Sequence, residues 1–245
     1  MEKIRLDRWM VENGFAETRE KAGARIMPGE VQIDGQRADK AGQFVLPASR
    51  VEVRAKLRYV SRGGIKLECG LKHFGIDVTG AVCADIGTST GGFTDCLLQH
   101  GAARVHSVDT GMGQIDWSLR NDPRVVLHEG FNARHLEPAD LGEPVDLGVC
   151  DVSFISATLI VPAIVRVLKP ETGRVVVLVK PQFEVGREQV GKGGIVRESA
   201  LHEAACARVR TCVEESDFGF ETVEIMESPI TGAEGNKEFL LYARR

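Results

Sequence analysis

From residue 81 onward, short apolar runs alternate with stretches that read as helices. The runs at 81–86, 103–108, 125–127, 145–150 and 174–179 are near-continuous, as expected of strands buried on both faces. Helices are predicted at 93–100, 155–168 and 199–216. This alternation argues for an α/β fold, a parallel sheet with helices on both faces. Two further strands, at 221–226 and 239–243, are joined by residues 228–235, which contain Pro229 and two glycines but no helical pattern. Without a crossover helix, the two should pair antiparallel.

Before that point the pattern is different. Residues 4–14 predict a short helix with Leu6, Met10 and Val11 on its inner face and Gly14 closing it. Residues 17–26 predict a second helix, capped by Thr18 and ended by Gly29. A strand beginning at Val31 runs into an Asp34-Gly35 turn, and residues 51–53 alternate as another strand. Residues 1–53 therefore read as a small α+β module and 54–59 as a short basic linker without glycine, able to hold its neighbours in a preferred relation. Residues 60–245 read as the large domain, opened by a helix running to about residue 74. The chief irregular stretch is 183–197, where four of fifteen residues are glycine. Loops this long are uncommon without a function. A lid carrying Arg187 and Lys192 to a polyanion and a mobile surface loop both fit.

Length and composition suit one large and one small domain, with 245 residues and 43% hydrophobic content. No apolar run is long enough to span a bilayer, and the charged N-terminus has no signal-peptide core, so a cytoplasmic location without membrane partners is expected. Six cysteines are scattered without a Cys-x-x-Cys pair, and six histidines lack ligand spacing. The cysteines read as small buried hydrophobes, and no metal is expected. The net charge of −4 hides an asymmetry. Residues 1–66 hold 14 Lys and Arg against 9 Asp and Glu, and the remainder holds 17 against 26. The basic end is where a polyanionic partner would bind.

The stretch from Ala81 to Phe93 carries the first candidate chemistry. A buried strand ends in Asp85, a turn holds Gly87, Gly91 and Gly92, and a helix starts at Phe93. The glycines would let backbone N–H groups approach a ligand. Asp109 ends the next strand about twenty residues on, the offset at which an acid meets ribose hydroxyls. The spacing is not the dinucleotide fingerprint. A carboxylate at Asp85 repels a pyrophosphate but suits a sulfonium cation and its ammonium; a tight strand–helix turn is the plain alternative. The stretch resembles the first motif of S-adenosylmethionine-dependent methyltransferases, which implies a Rossmann-like class I sheet of seven strands, the last antiparallel. Asp109 then matches the ribose-binding acid, and Asn132 sits where many such enzymes place an acid against adenine, although packing or turn formation explains an Asn equally well.

Strand ends supply the second constellation. Asp151 follows the fourth strand, Lys180 ends the fifth and Glu238 begins the last, which puts all three at the edge where ligands bind in open α/β sheets. Lys66 lies on the preceding helix. These four resemble the Lys-Asp-Lys-Glu tetrad of FtsJ-type ribose 2′-O-methyltransferases. At the other end, Arg5-Leu6-Asp7, Gly14, Thr18-Arg19, Ala22, Ile26, Gly29 and Val31-x-Ile33-x-Gly35 resemble the S-four RNA-binding domain. That likeness implies phosphate contacts from Arg5, Arg19, Lys21 and Arg25, with Arg8 nearby. Arg62, in the Ser61-Arg-Gly-Gly-Ile-Lys66 motif of the large domain, is a further candidate for RNA contact. A merely solvated basic face is the alternative.

Together the two halves resemble the TlyA family, often labelled haemolysin. The resemblance implies methyl transfer from S-adenosylmethionine to a cytidine 2′-hydroxyl of ribosomal RNA. Within that family short termini go with the large-subunit 23S RNA alone and longer ones with 16S RNA as well; Asp7 and Tyr242 lie near the two ends, which suits the short form. A ribose hydroxyl holds its proton tightly, so transfer needs a base, alignment and stabilisation of oxyanion charge. Two close lysines would depress each other's pKa. Lys180 is thus the expected base, Lys66 the stabilising cation, and Asp151 and Glu238 their orienting partners. Amino-group methylation fits worse, since its Pro-Pro-aromatic motif is replaced here by Asp-Val-Ser-Phe. Carbon methylation fits worse too, since Cys150 precedes Asp151 rather than following a proline. A non-catalytic RNA-binding or ribosome-assembly protein is the main rival. A pore-forming haemolysin would need a membrane-active amphipathic stretch, and none stands out.

Overall fold

In the computed structural model, which describes residues 3–27, 30–53, 58–215, 217–232 and 234–245, the chain divides into two compact units, residues 1–56 and 57–245. Gly29 and residues 54–57 of the expected linker lie outside the described residues.

The larger unit is built on seven strands: β1 (Val82–Ile86), β2 (Arg104–Asp109), β3 (Val125–Glu129), β4 (Leu147–Cys150), β5 (Arg174–Val179), β6 (Thr222–Glu227) and β7 (Phe239–Arg244). Their order across the sheet is 6-7-5-4-1-2-3. Neighbours among the first five are parallel, and β7 runs antiparallel to both β5 and β6, as the helix-free connection requires. The chain winds outward from β1 to β3, then restarts at β4 on the other side of β1. That reversal opens a crevice beyond the carboxyl ends of β1 and β4. Ile86 pairs with Cys150 there, and Asp151 N–H donates to the Ile86 carbonyl at 2.9 Å, so Gly87 and Asp151 leave the sheet side by side.

Burial on both faces explains the near-continuous apolar runs. Cys83, Val105, Val149 and Val176 face one core layer with Leu67, Phe93 and Leu97 from the helices Gly63–His73 and Gly92–Gln99. Ala84, Ile86, Val108, Cys150 and Val177 face the other, with Ile164 and Val209 from the helices Val161–Val167 and Ser199–Glu215. The period of two splits each strand between two layers that are both dry.

The helix expected over 155–168 is shorter than its apolar content suggested. A 3₁₀ turn, Ala157–Leu159, precedes the helix Val161–Val167, whose first turn holds Pro162. Proline has no N–H to continue an earlier helix, so the apolar run breaks there. Residues 183–197 are not a featureless loop either. They include the end of the short helix Pro181–Glu184 and a 3₁₀ turn, Arg187–Gln189. The buried Asn236 side chain holds the far end, accepting from Val196 N–H at 2.9 Å and donating to the Gly194 carbonyl at 2.8 Å.

The smaller unit has its own core of Leu6, Met10, Ala22, Ile26, Val31 and Val45. Val31–Ile33 pairs antiparallel with both Gln36–Ala38 and Val51–Val53. Asp34 and Gly35 both adopt left-handed backbone (φ 52° and 78°), the conformation a two-residue hairpin turn needs. The first helix starts at Leu6 rather than residue 4, because Ile4–Arg5 pairs as a strand with Phe44–Val45. Thr18 caps the second helix, Arg19–Ile26, by accepting from Lys21 N–H at 3.2 Å. Among the described residues, no helix is long and apolar enough to cross a membrane.

Candidate active site

The turn after β1 is assembled from behind. Asp85 is fully buried, and its Oδ2 accepts from Thr94 N–H at 2.9 Å and from Thr94 Oγ1 at 2.7 Å. This ties the strand to the first turn of the helix Gly92–Gln99. Asp85 Oδ1 is buried without a hydrogen-bond partner among the described residues. Burial pushes the carboxyl up to about 7, against the pull of the Thr94 bonds. Asp85, expected to face a cationic ligand, lines neither of the two cavities at this sheet edge. It holds the turn in place from the core side.

The glycines also owe their places to packing. At Gly87 (φ 83°), a Cβ would lie 2.5 Å from the Asp151 carbonyl oxygen. At Gly91 (φ 96°), it would lie 2.3 Å from Leu119 Cδ1, and at Gly92, 2.1 Å from Ser61 Oγ. Gly91 lines neither cavity, whereas Gly87 and Gly92 do both jobs, and Phe93 is a core residue whose edge reaches the smaller cavity.

The larger cavity, about 430 Å³, lies between the ends of β1, β2 and β4, with Gly87, Ser89, Asp109, Asn132, Asp151 and Phe154 in its wall. Asp109 is held by Ser89 N–H on Oδ2 and Gly111 N–H on Oδ1, both at 2.7 Å. Asn132 Oδ1 accepts from Arg134 N–H at 3.2 Å and so caps the turn Ala133–His135. Asn132 thus forms a turn and also stands in the cavity wall.

The smaller cavity, about 160 Å³, adjoins the first through Gly87, Ser89, Asp151 and Ser153. Lys66, Asp151 and Lys180 all reach it. Lys180 Nζ lies 2.6 Å from Asp151 Oδ1 and donates to Ser153 Oγ at 2.8 Å. Lys66 Nζ donates to Glu238 Oε2 at 2.5 Å. Glu238 itself stands behind Lys66, outside the cavity wall and buried. The four residues thus form two lysine–carboxylate pairs, each lysine oriented by its own acid. Sequence reasoning missed Ser153, although it sits in the Asp-Val-Ser-Phe run already singled out. It also missed Gly232, where a Cβ would lie 2.5 Å from Glu238 Oε1. Among the described residues, no group of His, Cys, Asp and Glu is placed to hold a metal ion.

In the smaller unit every cation expected to meet phosphate already has a partner. Asp7, nearly buried, accepts from Arg5 Nε and NH2 at 3.1 and 2.9 Å and from Arg19 NH2 at 2.8 Å. The Arg5 hydrogen bond, opposed by burial and helped by Arg19, holds the Asp7 carboxyl well below the usual range. Arg8 pairs with Glu12 at 2.7 Å, Lys21 with Glu17, and Arg25 with Glu30 at 2.9 Å. In the larger unit, Arg62 donates to the Thr231 carbonyl at 2.8 Å.

The raised carboxyl at Asp85 has a measurable consequence. Its folded pKa lies above the unfolded value of 3.8, so the folded protein keeps a proton that the unfolded chain releases. The contribution of Asp85 to stability should be fully present below about pH 4, fall as pH rises and be gone above about 7, a loss on the order of a few kcal/mol. Asp85→Asn keeps an acceptor for Thr94 and cannot ionise, so this part of the pH dependence should vanish. Urea midpoints at pH 5 and pH 8 check it; the same pH dependence in both proteins would refute the assignment.

An FtsJ-like methyltransferase domain matches residues 59–245, and an S4 domain matches residues 4–51. The 16S/23S rRNA (cytidine-2′-O)-methyltransferase TlyA of Mycobacterium tuberculosis is 43% identical, over 99% of this chain and 90% of its own length. Hemolysin A of Brachyspira hyodysenteriae is 41% identical, over 98% of this chain and 99% of its own. A solved structure described as a hemolysin from Streptococcus thermophilus aligns with a TM-score of 0.74 at 45% identity, covering 100% of this chain and 89% of that one. A seven-stranded sheet with its cavities at the reversal of strand order, two lysine–carboxylate pairs at its edge and a separate small unit at the N-terminus agree with these matches over the full length, and the chain belongs to the TlyA family of FtsJ-like methyltransferases with an N-terminal S4 domain.

Proposed function

We propose that the chain transfers the methyl group of S-adenosylmethionine to a cytidine 2′-hydroxyl of ribosomal RNA, with the S4 unit contributing RNA affinity. The observation that carries this reading is the convergence of both lysine–carboxylate pairs on one small cavity that opens into a larger, acid-lined one.

The residues present suit that cofactor. Asp109 and Asp151 make the wall of the larger cavity anionic, which favours a sulfonium and an ammonium and disfavours a pyrophosphate. Each Asp109 oxygen already accepts one N–H and keeps lone-pair capacity for a ribose hydroxyl. Phe131 and Asn132 offer a flat apolar surface and an amide beside it for an adenine. Bound there, the cofactor supplies an electrophilic methyl group.

The chain's own residues do the rest. Lys180 Nζ, fixed by Asp151 and Ser153, acts in its neutral amine form: having released one proton to solvent, it accepts the proton of the 2′-hydroxyl as the oxygen–carbon bond forms and the sulfur–carbon bond breaks. General-base help of this kind is worth ~10²–10⁴-fold. Lys66, held by Glu238, places positive charge beside the oxygen as it loses its proton. The name of the Mycobacterium tuberculosis relative supports the acceptor. The test is methyl transfer from labelled S-adenosylmethionine to purified 30S and 50S subunits, followed by ribose-methylation mapping of 16S and 23S RNA. Label at a cytidine 2′-oxygen is expected. Label confined to a base, or none on either subunit, would refute the reading.

A further inference from the structure

The segment after β4 carries Asp151, Ser153 and Phe154, and the segment after β5 carries Lys180. Neither is a regular element over these residues. Phe154 adopts left-handed backbone (φ 69°) although it has a bulky side chain and is 88% exposed. Such a conformation persists only where its surroundings impose it. Lys180 supplies one link between the two segments, through Asp151 and Ser153. A second link lies a few residues farther along both.

Glu184, the last residue of the short helix that follows Lys180, is buried although it is an acid. Its Oε1 accepts from Ala157 N–H at 2.7 Å, and its Oε2 accepts from Ser156 Oγ at 2.6 Å. The same carboxylate therefore satisfies the first turn of Ala157–Leu159, whose other cap is Ser156 itself. Arg208 secures Glu184 from the helix Ser199–Glu215, donating to its backbone carbonyl at 2.9 Å. Between the two links lie Phe154 and Phe183, one from each segment, with ring centroids 5.5 Å apart.

We propose that Glu184 is a positioning residue for methyl transfer: by clamping Ser156 and Ala157 to the turn after Lys180, it fixes Asp151 and Ser153 against Lys180 Nζ. This rests on the reading of Lys180 as the base. The clamp acts on geometry alone. Ser153 lies three residues from Ser156, and Lys180 lies four from Glu184, so slack at the outer link becomes displacement at the inner one. Displacement of a catalytic group by about 1 Å can cost ~10²-fold in rate.

Glu184→Ala removes both acceptors. The single-turnover rate should fall ~10-fold or more, with KM for the ribosomal subunit little changed, because no RNA-facing cation moves. Glu184→Gln should restore most of the rate. Its amide oxygen can accept from Ala157 N–H, and its NH2 can donate to the Ser156 hydroxyl, which can turn its proton towards Thr158 Oγ1, 2.7 Å away. Burial already pushes the Glu184 carboxyl up, so a neutral amide suits the site. Ser156→Ala, which deletes one arm of the clamp, should lower the rate several-fold in a folded protein.

Three results would overturn the proposal: wild-type turnover by Glu184→Ala; loss in the Ala and Gln variants alike, in step with their thermal midpoints, which would mark a merely structural residue; or, where Glu184→Ala does not fold, wild-type turnover by Ser156→Ala. Lys180→Arg in the same assay separates this from the underlying reading. If Lys180→Arg is inactive and Glu184→Ala is not impaired, the base stands and the clamp falls. If Lys180→Arg turns over normally, the base assignment itself falls.

Discussion

Lys180→Arg should bind S-adenosylmethionine and ribosomal RNA nearly as wild type and lose methyl transfer by ~10²-fold or more. The substitution keeps a cation able to pair with Asp151, whose Oδ1 is now 2.6 Å from the lysine nitrogen. What it removes is the ability to take a proton, since a guanidinium does not give up or regain one at any pH the protein survives. Single-turnover rates with saturating RNA separate this loss from weaker binding. Lys66→Met is the companion. It deletes the charge beside the oxygen and leaves Glu238, which is buried, without its partner. An uncompensated buried carboxylate is costly, so this variant should lose stability as well as rate. A Lys180→Arg enzyme that turns over like wild type would mean that proximity and orientation alone drive the reaction.

The parts of this molecule that could be read from its sequence are those set by local periodicity. Near-continuous runs such as 174–179 predicted strands buried on both faces, and the helix-free connection after residue 227 predicted antiparallel pairing; the sheet has both. Strand ends then placed Asp151 and Lys180 at one edge. What could not be read depends on partners distant in sequence. Asp85 looked like a ligand-facing acid because it ends a strand before a glycine turn, yet Thr94 draws its carboxylate inward. Gly91 looked ligand-facing for the same reason, but the space it leaves is taken by Leu119. The acids expected to orient Lys66 and Lys180 do pair with them, but which acid takes which lysine is set by the fold: Glu238 meets Lys66 and Asp151 meets Lys180. Glu184 ends the Val179-Lys-Pro-Gln-Phe-Glu184 run that contributes to the family resemblance, but nothing in the sequence marked it as buried: a glutamate entering a glycine-containing stretch reads as surface, and only the fold brings Ser156 and Ala157 onto it.

The same distinction applies to the smaller unit. A basic face was legible from composition, and its internal pairing was not. Pairing does not exhaust these cations. Arg5 and Arg19 each use Nε and one terminal nitrogen on Asp7 and keep guanidinium N–H groups for another acceptor. Their side chains are 46% and 58% exposed. One nearly buried carboxylate thus holds two guanidiniums in fixed directions, which reduces the order they must gain on meeting a phosphate. Lys21 is paired with Glu17 at the surface, and such a pair is weak enough to exchange for phosphate. Arg25 is half-buried and held by both Glu30 and the Phe15 carbonyl.

Deleting residues 1–53 should therefore leave a folded protein that binds S-adenosylmethionine and scarcely modifies ribosomal RNA. The small unit has a core of its own, Leu6 through Val45, and the two core layers of the large one are built from other residues. Asp109, Asp151, Lys180 and Lys66 all remain. What disappears is the set expected to meet phosphate, Arg5, Arg19, Lys21 and Arg25. Four phosphate contacts correspond to a log–log salt slope of roughly −4, or ~10²-fold in affinity between 50 and 200 mM salt. Full-length protein should show that dependence in kcat/KM for the ribosomal subunit. The truncated protein should show a slope shallower by about 4 and a rate ~10²-fold lower or less at the low-salt end. Calorimetry with S-adenosylmethionine should give similar affinities for both. Full-rate methylation by the truncated chain would place the RNA-binding surface on the large unit. Loss of cofactor affinity on truncation would show instead that the two units do not act separately.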